Sequence, residues 1–177
     1  KKWFWIILGL TSFIIFFQLG SIPLLDPDEP VYAETAKEML AFGDFISPRI
    51  YGEFWYDKPP LYYWLTAASF KLFGVSEFAA RLPAAFCGVA CVMLVYRCGC
   101  RLFGLRAGIA GALALTTSTA YFYVATAAVT DRTLTFFMTA ALLMFLEKKY
   151  LLFYVCAALA TLTKGPIGIV FPGAIIF

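Results

Sequence analysis

Six apolar runs with almost no charge in their middles constrain this chain more than any other feature. They are separated by short polar connections and by one long polar segment, residues 20–77. Hydrophobic residues make up 62% of the chain, charged residues 14%, and the mean hydropathy is +0.82. Soluble domains are about 45–50% apolar and about 25% charged. We therefore predict an all-α membrane protein, a polytopic bundle of transmembrane helices. The predicted spans are residues 3–19, 78–96, 107–124, 133–146, 151–163 and 167–177.

The first apolar run follows Lys1-Lys2 and could be either a signal peptide or a retained anchor. No small-residue cleavage site follows it, because the next residues are Ile22-Pro23-Leu24-Leu25. The retained anchor is therefore favoured. The chain stops at Phe177 inside an apolar run, which suggests the N-terminal portion of a longer protein.

The long segment 20–77 is predicted to form an outer loop with two helices at the membrane surface. The first, residues 30–42, would have Glu29 as its cap, Pro30 at its first position and Gly43 as its stop. Its apolar residues recur at helical spacing on one side, which is typical of a helix lying flat on a membrane. The second, residues 60–73, follows a Pro-Pro pair and is rich in aromatic side chains, as expected at headgroup depth.

Charge and cysteine content exclude other classes. The net charge is +3, but the basic residues are scattered, so nucleic acid is not an expected partner. The five cysteines avoid the long polar segment, and no disulfide framework is predicted. Cys98-Gly99-Cys100 could suggest a metal, but the chain has no histidine to complete such a site and an unspecialised role is favoured.

The distribution of lysine and arginine sets the expected orientation. If the spans alternate, the basic residues of the short loops fall on one side, which we take as cytoplasmic. Of the eleven carboxylates, Glu147 is the one expected on that side. The opposite, outer face then gathers charges from distant parts of the chain: Asp28, Glu29, Lys58, Asp131, Arg132 and Lys164.

These outer charges are candidates for chemistry because ionisable groups at membrane depth are costly and usually functional. Asp28 and Asp131 could divide proton removal and metal binding between them, or Asp131 could be an ordinary helix cap. Lys58 and Lys164 could each bind a phosphate or simply extend to the interface, and the spacing favours neither reading. Arg81 is more readily explained as an interfacial charge than as a phosphate ligand.

A set of short motifs resembles the integral-membrane glycosyltransferases of the GT-C fold. They are Pro27-Asp28-Glu29, Tyr32-Ala33-Glu34, Glu38-Met39-Leu40, Gly43-Asp44, Lys58-Pro59-Pro60, Tyr63-Trp64, Phe73-Gly74, Arg81-Leu82-Pro83 and Leu162-Thr163-Lys164-Gly165-Pro166. The resemblance covers essentially the whole chain. It is greatest to the 4-amino-4-deoxy-L-arabinose lipid A transferases and to the bacterial relatives of dolichyl-phosphate-mannose protein mannosyltransferases.

The resemblance implies roles for individual residues. Asp28 is similar to the family's acidic residue of the first outer loop, with Glu29 beside it, and Asp131 to its second acidic residue. Lys58 is similar to the lysine that holds the carrier phosphate. Asp57 stands where the lipid A transferases carry a glutamate that helps to bind a divalent metal ion.

The resemblance also implies a substrate class and a location. The enzyme would take a sugar from a polyprenyl-phosphate-linked donor and pass it, with inversion, to lipid A, another glycolipid, a protein or a polysaccharide. It would be a multi-pass protein of the bacterial inner membrane with its active site on the periplasmic side. Pro30 replaces the threonine common in the lipid A enzymes, which suggests a different acceptor. A membrane transporter and a non-catalytic, truncated paralogue are the alternatives, and the uncharged middles of the spans count against a transporter.

Overall fold

The computed structural model describes residues 2–25 and 27–176, and within them the chain is almost entirely helical. The order is α1 (Lys2–Phe16), α2 (Asp28–Phe42), β1 (Arg49–Ile50), β2 (Glu53–Phe54), α3 (Leu61–Phe73), α4 (Glu77–Phe103), α5 (Leu105–Thr116), α6 (Thr119–Ala125), α7 (Thr130–Leu146), α8 (Tyr150–Lys164) and α9 (Ile167–Ile176). Helices overlap each of the six predicted spans and both predicted surface helices, although α1 ends at Phe16, three residues before the end of the first predicted span. The last residue of the sixth predicted span lies outside the described residues.

Helix α2 begins two residues earlier than the sequence suggested, at Asp28 rather than Pro30. Proline is tolerated in a first helical turn because the N–H groups there have no partner within the helix. Two acidic side chains in that turn complement the positive end of the helix dipole. Glu29 is therefore inside the helix and not its cap. The helix ends as predicted at Gly43, whose φ of 66° is left-handed.

A two-stranded hairpin links the surface helices. Arg49 pairs with Phe54 and Ile50 with Glu53 in antiparallel register. The two-residue turn is Tyr51-Gly52, with φ values of 54° and 81°. Positive φ at both positions is the requirement of a type I′ hairpin turn.

Helix α4 is the centre of the structure. It spans 27 residues and packs against α1, α3, α5 and α7. Ser76 caps it by accepting a hydrogen bond from the Ala79 N–H at 3.3 Å. Among the described helices it is the one that, unbroken, is long and apolar enough to cross a bilayer.

The predicted span 107–124 is not one helix. Helices α5 and α6 are bent by 67° at a break between them, and together they have the length and apolar character of a span. Ser118 starts α6 by accepting a hydrogen bond from the Tyr121 N–H at 3.4 Å. A buried hydrogen bond of 2.9 Å between the Thr11 and Thr116 hydroxyls ties α1 to the end of α5. The Tyr121 hydroxyl donates to the Gly88 carbonyl at 2.6 Å and ties α6 to α4.

Two packing regions place the site. Helices α1, α4, α5 and α6 share a core of buried aliphatic and aromatic side chains. Helices α2, α3 and α4 meet through small residues, including Ala36, Ala67 and Ala80, which let their backbones approach closely. As a result, the first turn of α2 lies against the connection between α6 and α7.

Candidate functional site

A cavity brings together the two carboxylates that the sequence placed on one face. Asp28, in the first turn of α2, and Asp131, in the first turn of α7, both line a cavity of about 160 Å³. Leu25, Tyr123 and Val129 form part of its apolar wall. Asp28 is exposed, whereas its neighbour Glu29 is buried. Two acidic groups 103 positions apart in the chain therefore face one small space.

Lys58 lies close enough to Asp28 to feel its charge. Its ammonium donates to both carboxylate oxygens of Asp57 at 2.9 Å. That hydrogen bond raises the pKa of Lys58, partial burial opposes the rise, and the negative charges of Asp57 and Asp28 add to it. Lys58 is therefore within electrostatic range of Asp28 and stays fully cationic at neutral pH.

Tyr32 is a member of this cluster that the sequence did not single out as functional. It follows Asp28 by four positions, so the two side chains lie on one face of α2. Its ring contacts Tyr62 and Tyr63, with centroids 5.6 and 6.0 Å away. Burial raises the pKa of Tyr32, and the nearby charge of Lys58 opposes that rise. The i, i+4 spacing from Asp28 was the signal that could have identified it.

Lys164 and Asp131 form an ion pair at the other side of the cavity. Asp131 is in the first turn of α7, and Lys164 is the last residue of α8. Each charge therefore complements the dipole of its own helix, which favours an acid at the N-terminus and a base at the C-terminus. The side chain of Asp131 is 52% exposed, so it remains accessible while paired.

Glu29 has a different position from the one its predicted catalytic role requires. It is 3% exposed, and its oxygens accept hydrogen bonds from Arg81 and from the N–H groups of Leu25 and Ala128. Burial alone would raise the pKa of Glu29, but these hydrogen bonds hold it below its ordinary value. With both oxygens occupied, Glu29 does not fit a proton acceptor, and the geometry favours a positioning role.

Arg81 was interpreted from the sequence as an interfacial charge, and the structure corrects this. Its side chain is 2% exposed and pairs with Glu29 at 2.8 Å. An isolated arginine in an apolar helix start looks like a membrane-surface residue. Its partner lies 52 positions earlier in the chain, and no local pattern reveals it.

The described residues do not make a complete metal site around Asp57. Its carboxylate is engaged by Lys58, and no group of three or more acidic, cysteine or histidine side chains comes together among residues 2–25 and 27–176. Divalent cations generally take several oxygen or nitrogen ligands.

Comparison with known proteins identifies the family. A sequence profile described as dolichyl-phosphate-mannose-protein mannosyltransferase matches residues 57–177. The chain belongs to this family. It is 31% identical over 184 residues to the undecaprenyl phosphate-alpha-4-amino-4-deoxy-L-arabinose arabinosyl transferase of Aeromonas hydrophila, a match that covers 95% of this chain and 34% of the relative. It is 34% identical to an uncharacterized protein of Aquifex aeolicus, covering 99% of this chain and 37% of that one.

Solved structures agree with this membership. The crystal structure of ArnT from Cupriavidus metallidurans bound to undecaprenyl phosphate matches with a TM-score of 0.92 and 29% sequence identity. The match covers 99% of this chain and 35% of ArnT, and the apo structure gives the same values. This chain is thus an all-α membrane protein with the GT-C fold, as its motifs indicated. It spans about a third of the length of these relatives.

Proposed function

We propose that the full-length protein is a multi-pass glycosyltransferase of the bacterial inner membrane. It transfers a sugar from a polyprenyl-phosphate-linked donor to an acceptor on the periplasmic face. The observation that carries this proposal is the shared cavity of Asp28 and Asp131, with Lys58 and Lys164 beside it. It lies in a fold that matches ArnT bound to undecaprenyl phosphate.

The chemistry requires one bond to break and one to form. The bond between the anomeric carbon and the carrier phosphate breaks, and the phosphate leaves with the bonding electron pair. An acceptor oxygen or nitrogen forms the new bond to that carbon and gives up a proton. Lys58 is placed to stabilise the negative charge that grows on the leaving phosphate. We assign Asp28 the role of taking the acceptor's proton, because it is exposed and lines the cavity.

Asp131 and Lys164 complete the proposed site. An acceptor with a cationic or hydroxyl group could bind the exposed carboxylate of Asp131, while Lys164 adds a second positive charge for phosphate. A divalent metal ion bound through Asp57 remains part of the proposal only if residues outside this chain segment supply the other ligands. The acceptor is lipid A, another glycolipid, a protein or a polysaccharide.

The test is sugar transfer by the full-length enzyme in liposomes that contain a polyprenyl-phosphate sugar and a candidate acceptor. General base catalysis contributes about 10²–10⁴-fold, so Asp28→Asn should lower kcat by at least about 10²-fold. The matched control is Asp44→Asn. Asp44 lies in the same outer segment but is occupied by the N–H groups of Ile46 and Ser47 and by Arg49. Its variant should keep wild-type activity.

Full activity of Asp28→Asn would contradict the proposal. Ion flux through the same liposomes, without transfer, would instead favour the transporter. Mass spectrometry of envelope lipids from cells with and without the intact gene would identify a lipid acceptor.

A further inference from the structure

One buried ion pair joins three separate segments of the chain. Arg81 donates to both oxygens of Glu29, from Nε to Oε1 at 2.9 Å and from Nη2 to Oε2 at 2.8 Å. Its other donors reach the connection between α1 and α2. Nη1 donates to the carbonyls of Leu19 at 3.1 Å and Ile22 at 2.8 Å, and Nη2 donates to Pro23 at 2.9 Å. A guanidinium has five N–H donors, and all five are used here.

The acceptor of the pair reaches the third segment. Oε1 of Glu29 also accepts a hydrogen bond from the Ala128 N–H at 2.5 Å, in the connection between α6 and α7. Oε2 accepts one from the Leu25 N–H at 2.7 Å. The ion pair therefore fixes the end of the first helical connection, the first turn of α2 and the approach to α7 against one another.

These fixed segments are the ones that carry the candidate catalytic carboxylates. Asp28 is the residue before Glu29, and Asp131 follows Ala128 by three positions. Both carboxylates line the same cavity, and Glu29 forms part of its wall. Because every donor of Arg81 is engaged within the protein, Arg81 has none left for a substrate phosphate.

Burying such a pair is costly, since two charges must leave water and well-packed apolar side chains often serve stability as well or better. What apolar side chains cannot supply is a fork of directed donors with fixed angles. We propose that Arg81 is a positioning residue that, through Glu29, sets the separation of Asp28 and Asp131. This inference rests on the proposed transferase function.

Replacing Arg81 by lysine keeps the positive charge and removes the directed hydrogen bonds, so it tests the positioning role apart from the charge. A lysine keeps the positive charge but is a point donor with three hydrogens, so it cannot reach both oxygens of Glu29 and three carbonyls together. The segments that bear Asp28 and Asp131 would then shift. A misplacement of about 1 Å at a reacting group can cost about 10²-fold in rate. Lys58 lies on another segment, just before α3, and its pairing with Asp57 does not depend on Arg81.

The experiment compares full-length Arg81→Lys with Arg49→Lys, each purified and reconstituted with a polyprenyl-phosphate sugar. Arg49 is the matched control because it also pairs with an aspartate, Asp44, and lies between the rings of Phe42 and Phe54. Arg81→Lys should lower kcat per folded molecule about 10²-fold, with KM for the donor within about twofold of the wild type. Arg49→Lys should change neither constant.

A lower yield or Tm with unchanged kcat per folded molecule would overturn the positioning role and leave a structural one. A higher KM with unchanged kcat would assign Arg81 to substrate binding instead. Glu29→Gln is the second variant and should show the same kcat loss. If neither variant can be isolated folded, the pair serves folding and the inference is rejected. A wild-type enzyme that transfers no sugar would refute the proposed function, whereas an active wild type with an equally active Arg81→Lys would refute this inference alone.

Discussion

Helices α4 and α5 pack so closely that alanine substitution should have different effects at two glycines of α5. A Cβ added at Gly108 would lie 2.6 Å from the Cys100 nitrogen and 2.7 Å from the Tyr96 carbonyl oxygen. Both are backbone atoms of α4 and cannot rotate away. Among the described residues, a Cβ added at Gly111, one turn further along α5, would meet a methyl group of Val95 at 3.6 Å. The second distance is an ordinary van der Waals contact.

Gly108→Ala should therefore force α4 and α5 apart by roughly 1 Å, since a Cβ makes ordinary van der Waals contacts at 3.4–4 Å. Overpacking of this kind costs about 1–3 kcal/mol. Alanine also gains about 0.5–1 kcal/mol over glycine within a helix, but that gain applies to both positions. The two variants should thus differ in free energy of unfolding by about 1–3 kcal/mol, with Gly111→Ala at or above the wild type.

Thermal unfolding of the two full-length variants, purified in the same detergent, measures this difference. Gly108→Ala should unfold several degrees below Gly111→Ala. Equal melting temperatures would refute the reasoning, because they would show that α5 does not lie against the α4 backbone as described.

Two further predictions concern the site. Lys58→Ala should lower kcat/KM for the donor by about 10-fold or more, because a charge-assisted hydrogen bond contributes about 1.5–3 kcal/mol, whereas Lys37→Ala, which removes an exposed partner of Glu34, should not. An unchanged kcat/KM in the Lys58 variant would remove Lys58 from a role at the carrier phosphate. The pKa of Glu29 is held below its ordinary value in the folded protein, so its contribution to stability is complete above about pH 4.3 and is lost as the pH falls through the lowered pKa. Melting temperatures measured across acidic pH should therefore fall more steeply for the wild type than for Glu29→Gln, and parallel curves would contradict this.

Local signals in the sequence predicted the helices well. Gly43 and Gly74 mark the ends of α2 and α3, both with positive φ. The break between α5 and α6 was missed because Thr116, Thr117 and Ser118 are small polar residues that helices tolerate in a membrane. Ser118 is a favourable N-cap residue, and that signal was available.

The site was predictable only in part, for a physical reason. Alternation of the spans placed Asp28 and Asp131 on one face, and the structure brings them to one cavity. The pairing of Glu29 with Arg81 depends instead on how α2 docks against α4, which no local period specifies. A buried arginine and an interfacial arginine look alike until the fold supplies the partner.

The ion pairs of the two candidate lysines have a consequence for selectivity. Lys58 is already matched by Asp57, and Lys164 by Asp131, so each lysine is paired with a carboxylate in the resting site. To bind either lysine, an anion must displace the carboxylate that is already paired with it. A small monoanion such as chloride gains too little from that exchange, whereas a phosphate ester offers more negative charge and several acceptor oxygens. The exchange would also release Asp131 from Lys164 when the donor binds. Donor binding would thereby free Asp131 to bind the acceptor.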